Sequence, residues 1–207
     1  MGRISLISVK KLDSFLKKSA ENFQNRKIVC LTGNMASGKN YVSKIFEKNG
    51  WLCIDLDKVV HEAIDLLSKE IFLAFKEEAA AENINLLDGN SKINRKNLGK
   101  LLFLKKELLE KQEKLVYPKV IEITKKIIQK NESKNIVLNG THLFKTKELL
   151  KECSEIYFVK ANFFKRFFRA KKRDFLPIGQ ILRRFASQKD FYKIYKTSGI
   201  KFSVIKN

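Results

Sequence analysis

Cysteine, proline and glycine are all scarce in this chain of 207 residues, and each shortage narrows the class of protein. The three cysteines, Cys30, Cys53 and Cys153, are far apart and form neither a CxxC metal-binding pair nor an even disulfide framework, which predicts a reducing, cytoplasmic location. Two prolines and nine glycines exclude collagen-like and linker-dominated chains. Every uninterrupted apolar run falls short of the roughly 18 residues that a membrane-spanning helix needs, so no transmembrane segment is expected.

Acidic residues are also few, since 22 Asp and Glu stand against 43 Lys and Arg, for a net charge of +21. Such an excess favours polyanionic partners, which include nucleic acid, anionic membranes and phosphorylated small molecules. The alternative is a genome with AT-rich codons, which raises the content of Lys, Asn, Ile and Phe throughout. The lysines are spread along the chain rather than grouped, so composition alone is compatible with phosphate binding and does not establish it.

Residues 1–26 form an N-terminal extension with amphipathic character. Its apolar residues recur at helical spacing: Leu12, Phe15, Leu16, Ala20 and Phe23. A basic amphipathic segment can be a targeting peptide or a surface helix. The acidic residues within it and the lack of a long apolar stretch favour a helix packed on the main domain.

The rest of the chain, residues 27–207, has the pattern of an α/β domain with a parallel sheet flanked by helices. An apolar run, a helix and a second apolar run lie within residues 27–54, and this βαβ unit predicts a right-handed crossover. Residues 58–132 are almost wholly helical, and Pro118 is predicted to begin a new helix there. Further strands are predicted at three places: 136–138, 156–159 and 202–205. The helical stretch is therefore an insertion after the second strand.

The first strand runs into Gly33-Asn34-Met35-Ala36-Ser37-Gly38-Lys39-Asn40, which matches the P-loop pattern G-x-x-x-x-G-K-[ST] at every fixed position but the last. The glycines permit a tight loop whose backbone N–H groups point at phosphate oxygens, and the next helix adds its positive N-terminus. Lysine then reaches the β and γ phosphates. The predicted nucleotide-binding residues are Gly33, Met35, Ala36, Ser37, Gly38, Lys39, Asn40 and Tyr41.

Asn40 stands where the pattern has the Ser or Thr whose hydroxyl ligates Mg²⁺. Its side-chain oxygen is also a neutral ligand, but it lies one bond further from Cα. It can bind the ion directly, hold it through water, or only pack. We therefore expect Mg²⁺ use that is retained but altered.

The second strand is predicted to end at Asp55-Leu56-Asp57. Residues two apart on a strand face the same way, so both carboxylates can converge at the edge of the sheet where the P-loop lies. One carboxylate can accept a proton from an attacking hydroxyl while the other holds magnesium-bound water. The alternative is that Asp57 caps the following helix, and spacing alone leaves both interpretations open.

Arg169 and Arg173 lie four residues apart on a predicted helix, so both can point at one polyphosphate. Further donors lie downstream: Arg183, Arg184 and Gln188. The alternative is a solvated basic face with aromatic core contacts, which composition alone favours.

With these motifs assembled, residues 27–207 resemble the dephospho-coenzyme A kinase family. The resemblance rests on the P-loop, Asp55-Leu56-Asp57, the pattern Asp88-Gly89…Asn94-Arg95 in the insertion, the arginine-rich region and the final strand. It implies a P-loop NTPase-type fold in which residues 58–132 bind the acceptor and residues 170–188 form a lid. The implied reaction transfers the γ-phosphate of ATP to the ribose 3′-hydroxyl of dephospho-coenzyme A, giving coenzyme A and ADP.

The resemblance also implies the role of each site residue. Asp57 is the general base toward the hydroxyl, Lys39 holds the ATP phosphates, and Arg169 and Arg173 neutralise the transferring phosphoryl group. Asn40 and Asp55 are the candidates for holding Mg²⁺. Dephospho-coenzyme A is then the partner, with no nucleic acid or membrane, in a monomer or small homo-oligomer.

Several positions depart from the family pattern. Asn40-Tyr41 replaces Ser-Thr, Lys145 replaces a glutamate, and Tyr117 replaces the histidine before Pro118. We expect an active but divergent kinase. Two alternatives remain: a P-loop kinase for another small acceptor, such as a nucleoside or nucleotide, and a non-catalytic nucleic-acid-binding protein.

Overall fold

A computed structural model describes residues 5–20 and 26–207 of the chain. The chain divides into two compact units, of which one comprises Met1–Asp55 with Ile128–Asn207 and the other comprises Leu56–Ile127. No helix within the described residues combines the length and hydropathy needed to cross a bilayer.

Within the described residues, six strands form one parallel sheet in the first unit, in the order β1-β6-β5-β2-β4-β3. The strands are β1 (Ser5–Ser8), β2 (Ile28–Gly33), β3 (Leu52–Asp55), β4 (Ile136–Asn139), β5 (Glu155–Lys160) and β6 (Lys201–Lys206). Strand β2 lies inside the sheet. The chain continues from β2 to β3 on one side of β2, whereas β5 pairs with β2 on its other side. Such a reversal of strand order opens a crevice at the carboxyl end of the strand, where open α/β sheets bind ligands. The predicted parallel sheet is confirmed.

The N-terminal segment is part of this unit, because β1 pairs with β6 and α1 (Val9–Ala20) packs on the sheet. Leu12 and Leu16 of α1 are fully buried in the main apolar cluster. The predicted helix is present and buries Leu12 and Leu16, whereas Phe15, predicted on the same stripe, is 49% exposed. Strand β1 was not predicted. Phe23, assigned to the same helix, lies outside the described residues.

Helix α2 (Lys39–Lys48) covers the same face of the sheet. Its Val42 and Phe46 are fully buried in the apolar cluster that also contains Leu31 of β2 and Val137 of β4. The remaining helices of this unit follow the later strands: α7 (Lys147–Lys151), α8 (Phe163–Asp174), α9 (Ile178–Ala186) and α10 (Phe191–Lys196).

The second unit is helical. Its helices are α3 (Leu56–Leu66), α4 (Ser68–Ala81), α5 (Arg95–Leu102) and α6 (Lys106–Gln129). The prediction that Pro118 begins a new helix is wrong, because Pro118 lies inside the single long helix α6. The reason is a continuous buried stripe with one residue every four positions: Leu108, Gln112, Val116, Val120 and Thr124. Burial of several such residues outweighs the roughly 3 kcal/mol that an internal proline costs.

Candidate active site

The loop between β2 and α2 has the backbone that its glycines predict. Gly38 and Ala36 have φ values of 96° and 59°, and Gly33 has a φ of 152°. A Cβ added at Gly33 would lie 2.5 Å from the carbonyl oxygen of Val159 and 2.8 Å from Ser37 Oγ, so no larger residue fits there without a shift. The close approach of β5 therefore shapes the start of the loop.

Helix α2 begins directly after the loop, and its first turn is left without a side-chain cap because its N-cap residue is Gly38. The backbone N–H groups of Tyr41 and Val42 both bond the carbonyl of Gly38, at 3.0 and 3.2 Å. Lys39 Nζ folds back to the Gly33 carbonyl oxygen at 3.3 Å. An uncapped helix N-terminus with a lysine beside it is suited to bind a phosphate.

A cavity of about 540 Å³ lies at this loop. Its lining residues are Ala36, Ser37, Gly38, Lys39, Asn40, Arg169, Lys172 and Arg173. Four of these side chains are cationic and none is acidic, so the cavity attracts an anion.

Helix α8 supplies three of the four cations, and Asn162 starts this helix by accepting the N–H of Phe164 at 2.8 Å. Arg166 then fixes α8 against the loop, because its Nε donates to the carbonyl oxygen of Met35 at 2.9 Å. The same guanidinium stacks on the ring of Phe185 at 4.1 Å, and its burial lowers the pKa of Arg166. Arg169 Nη1 donates to the carbonyl oxygen of Ser37 at 3.4 Å.

Two further side chains hold the outer side of the loop. Gln188 accepts the N–H of Met35 on its Oε1 at 2.6 Å. Gln188 was predicted to add a donor, but here its side chain and its carbonyl oxygen both accept from the loop, the latter from Asn34 Nδ2 at 3.4 Å. Asn207 Nδ2 donates to the carbonyl oxygen of Ser37 at 2.8 Å.

The acidic residues lie where β3 gives way to α3. The prediction that Asp55 and Asp57 share a strand face is wrong, because β3 ends at Asp55 and α3 begins at Leu56. Asp57 lies in the first turn of α3, where a negative charge interacts favourably with the helix dipole. Buried Leu56 begins the helix without an intervening loop, so the alternation of strand faces does not extend to Asp57.

Within the second unit, Tyr117 is a neighbour of Asp57. Burial, together with the negative charges of Glu113 and Asp57, raises the pKa of the Tyr117 phenol well above its usual value. Tyr117 is therefore a neutral hydroxyl at physiological pH.

Comparison with known proteins settles the family. The sequence model of the dephospho-CoA kinase family matches residues 27–200. The chain belongs to the dephospho-CoA kinase family. It is 36% identical over 184 residues to the dephospho-CoA kinase of Treponema denticola, covering 87% of this chain and 82% of that protein. It is 34% identical to that of Treponema pallidum over 168 residues, which cover 80% and 79% of the two chains.

Solved structures agree with the assignment. A dephospho-CoA kinase from Campylobacter jejuni superposes with a TM-score of 0.58 and 26% identity, covering 88% of both chains. The protein TT1252 from Thermus thermophilus has the same fold, with a TM-score of 0.73, 24% identity and coverage of 89% of this chain and 90% of that one.

In this dephospho-CoA kinase, most of the predicted phosphate-binding residues line one cavity. Met35 instead packs beside the buried cluster of Ala170, Ile181 and Phe185, and Tyr41 is 57% exposed. Sequence reasoning did not select Lys172, although it lies three residues after Arg169 on the same helix and that spacing could have identified it.

Proposed function

We propose that this chain transfers the γ-phosphate of ATP to the ribose 3′-hydroxyl of dephospho-coenzyme A, forming coenzyme A and ADP. Membership of the dephospho-CoA kinase family supports the reaction. The binding of the ATP phosphates is supported by one observation, the cationic cavity at the uncapped start of α2. ATP supplies a polyanion of the size and charge that such a cavity binds.

Phosphoryl transfer needs little covalent help from a protein, so catalysis is mainly positioning and charge stabilisation. Lys39 and the loop N–H groups hold the β and γ phosphates. Arg169 and Arg173, with Lys172 beside them, neutralise the negative charge that spreads over the transferring group. The bonds of Arg166 and Gln188 to Met35 keep the loop in shape before ATP arrives.

Asp57 is the proposed general base. Its carboxylate accepts the proton of the acceptor hydroxyl as the oxygen attacks the γ-phosphorus and the bond to the ADP oxygen breaks. This role comes from the family motif that Asp55-Leu56-Asp57 resembles. The exposed position of Asp57 leaves the carboxylate accessible to a substrate.

The donor set near α2 fits a magnesium ion that arrives with ATP. Among residues 5–20 and 26–207, no group of three or more His, Cys, Asp or Glu side chains could hold a metal alone. Mg²⁺ in kinases is usually bound by one or two carboxylates together with substrate phosphates. Asp55 offers a carboxylate oxygen and Asn40 a neutral amide oxygen. When bound, the ion neutralises charge on the β and γ phosphates.

The proposal also covers the other parts of the chain. We propose that residues 58–132 bind the acceptor, that residues 170–188 act as a lid, and that residues 1–26 are an N-terminal amphipathic extension. The enzyme is expected to act in the cytoplasm as a monomer or small homo-oligomer, without nucleic acid or membrane.

ADP release tests the function, with dephospho-coenzyme A compared against a panel of nucleosides and nucleotides. We expect turnover only with dephospho-coenzyme A. Lys39→Ala should reduce kcat/KM at least about 100-fold, whereas Lys44→Ala, an exposed lysine on the same helix, should not. Asp57→Asn should reduce kcat by about 100-fold or more, with Glu62→Gln on α3 as the matched control.

Two results would contradict the proposal. Turnover with a nucleoside or nucleotide in preference to dephospho-coenzyme A would assign a different acceptor. Nucleic-acid binding that weakens steeply with salt and survives Lys39→Ala, in a protein without kinase activity, would favour a binding protein.

A further inference from the structure

The carbonyl oxygen of Ser37, in the phosphate-binding loop, is shared by two side-chain donors. Asn207 Nδ2 donates to it at 2.8 Å and Arg169 Nη1 donates to it at 3.4 Å. The first distance is typical of an N–H···O bond, whereas the second is long and the bond is weak. Ser37 is 1% exposed, so its carbonyl depends on protein donors rather than on bulk water. Asn207 is therefore the stronger partner of this carbonyl.

Arg169 has a second group to which it can donate. It lines the cationic cavity at the start of α2, and guanidinium groups bind phosphate oxygens through two parallel N–H bonds. The donors of a guanidinium lie in one rigid plane, so turning two of them toward a phosphate moves the whole group. We expect the long bond to Ser37 to break in that step. The carbonyl then keeps a side-chain donor because Asn207 stays in place.

Asn207 is held by the sheet. Its backbone N–H donates to the carbonyl oxygen of Lys160 at 3.0 Å, which extends the pairing of β5 with β6 by one residue. Strand β6 is also paired on its other side, because β1 bonds to it with Ser8 opposite Lys206. The N-terminal strand thereby covers what would otherwise be an open edge, and the end of β6 is fixed in position.

The other side chains that bond the loop belong to helices or directly follow them. Arg166 and Arg169 lie on α8, and Gln188 comes shortly after α9. The segment proposed as a lid, residues 170–188, overlaps both helices. Movement of that segment changes the contacts that these three residues make, whereas Asn207 remains with the sheet.

We propose that Asn207 is a positioning residue for phosphoryl transfer, which holds the Ser37 carbonyl so that Arg169 can leave it and bind the phosphates of ATP. The inference rests on the proposed binding of ATP in this cavity. With Asn207 present, ATP binding reduces the side-chain donors of the carbonyl from two to one. Without Asn207, the same step removes the remaining donor. A buried carbonyl that loses its donor is costly, and this cost lowers the affinity for ATP.

A double-mutant cycle tests this role through nucleotide binding. Calorimetry gives the Kd of a non-hydrolysable ATP analogue for the wild type, Asn207→Ala, Arg169→Ala and the double variant. Arg169→Ala removes a charged phosphate contact and should weaken binding about 30-fold. Asn207→Ala should weaken binding about 10-fold, because ATP then takes the remaining donor from the carbonyl. In the Arg169→Ala background the carbonyl lacks both donors before and after ATP binds, so Asn207→Ala should change the Kd by less than about 2-fold.

Asn49→Ala is the matched control. Asn49 follows α2, and its Nδ2 donates to Asp13 Oδ1 at 2.9 Å and to the carbonyl oxygen of Ile45 at 2.8 Å. The variant loses amide bonds of the same kind at the opposite end of α2 from the cavity. Its Tm should fall, while its Kd should equal that of the parent protein in both backgrounds. Circular dichroism verifies that every variant is folded at the temperature of the titration.

The pattern across the cycle separates positioning from mere support of the loop. An equal loss from Asn207→Ala in both backgrounds would overturn the proposal, because Asn207 would then shape the loop independently of Arg169. Wild-type affinity in either single variant would overturn it too. In these cases the proposed function stands as long as the wild type releases ADP with dephospho-coenzyme A. A wild type that neither binds the analogue nor releases ADP would contradict the function, and this inference with it.

Discussion

Alanine substitutions at three glycines separate backbone strain from steric crowding. Gly33, Gly38 and Gly50 all have positive φ, at 152°, 96° and 80°. Their surroundings differ: a Cβ at Gly50 would meet nothing within 4 Å, one at Gly38 would meet the end of the Asn207 side chain, and one at Gly33 would meet the backbone oxygen of Val159 at 2.5 Å. A side chain can move aside, whereas the backbone of a central strand cannot.

The expected costs follow from these contacts. Gly50→Ala adds a left-handed alanine, which costs about 1 kcal/mol. Gly38→Ala adds the loss of the hydrogen bond from Asn207, for about 2 kcal/mol in all. Gly33→Ala adds overpacking against β5 to the strain, for about 4 kcal/mol in all. At about 3 °C per kcal/mol for a chain of this size, the Tm should fall by about 3, 6 and 12 °C.

Urea unfolding followed by circular dichroism measures the series, and calorimetry with an ATP analogue measures the site. Gly38→Ala should weaken nucleotide binding beyond what its modest loss of stability explains, because Gly38 lines the cavity. Gly50→Ala should bind as wild type. Equal costs for Gly33→Ala and Gly50→Ala would refute the close approach of β5 to the loop as the reason for Gly33.

Four further changes test the loop support, the N-terminal helix, the internal proline and a buried thiol. Arg166→Lys loses the combined stack and hydrogen bond, so nucleotide affinity measured by calorimetry should fall and stability should drop by about 2 kcal/mol; unchanged affinity would show that this arginine does not hold the loop. Leu12→Ala should cost about 3 kcal/mol in urea, and a cost below about 1 kcal/mol would mean that α1 is not part of the core. Pro118→Ala restores a helical N–H and should raise the free energy of unfolding by about 1–3 kcal/mol; a decrease would show that the proline is required. Burial raises the pKa of Cys53 to about 11, so alkylation by iodoacetamide at pH 8 should be slow. Because the unfolded thiol loses its proton near pH 9 while the folded thiol keeps it, stability should fall between pH 9 and 11, and Cys53→Ser should flatten that fall.

Most of the sheet was predictable because buried parallel strands have sequences that are short, continuous apolar runs. Ile28–Gly33 is such a run, and the glycine pattern after it marks where the strand ends. Ser5–Ser8 has only two apolar residues, and its pairing with Lys201–Lys206 depends on contacts almost 200 residues away in the chain. No local pattern encodes that pairing.

The errors at Pro118 and Asp57 have one cause. In both places a local rule was applied where packing decides the outcome: proline in a helical sequence favours the first turn, and residues two apart on a strand share a face. Burial of a continuous stripe carries α6 through Pro118. The buried Leu56 turns the chain into α3 one residue before Asp57, a boundary shift that sequence patterns do not resolve.

In the phosphate-binding loop, too, some features follow from the local motif and others from distant residues. Its glycines and lysine follow from residues 33–40, whereas its backbone polar groups bond side chains that are 131–170 residues away: Arg166, Arg169, Gln188 and Asn207. Those bonds go to backbone atoms, which every sequence provides, so no motif records them. Since the outer groups are satisfied within the protein, the loop is held in the binding shape before the nucleotide arrives, and less of the binding energy is lost to ordering it. Helix α8, which supplies Arg169 and Arg173, is thereby also the scaffold of the loop, and changes in either one should alter nucleotide affinity through the other.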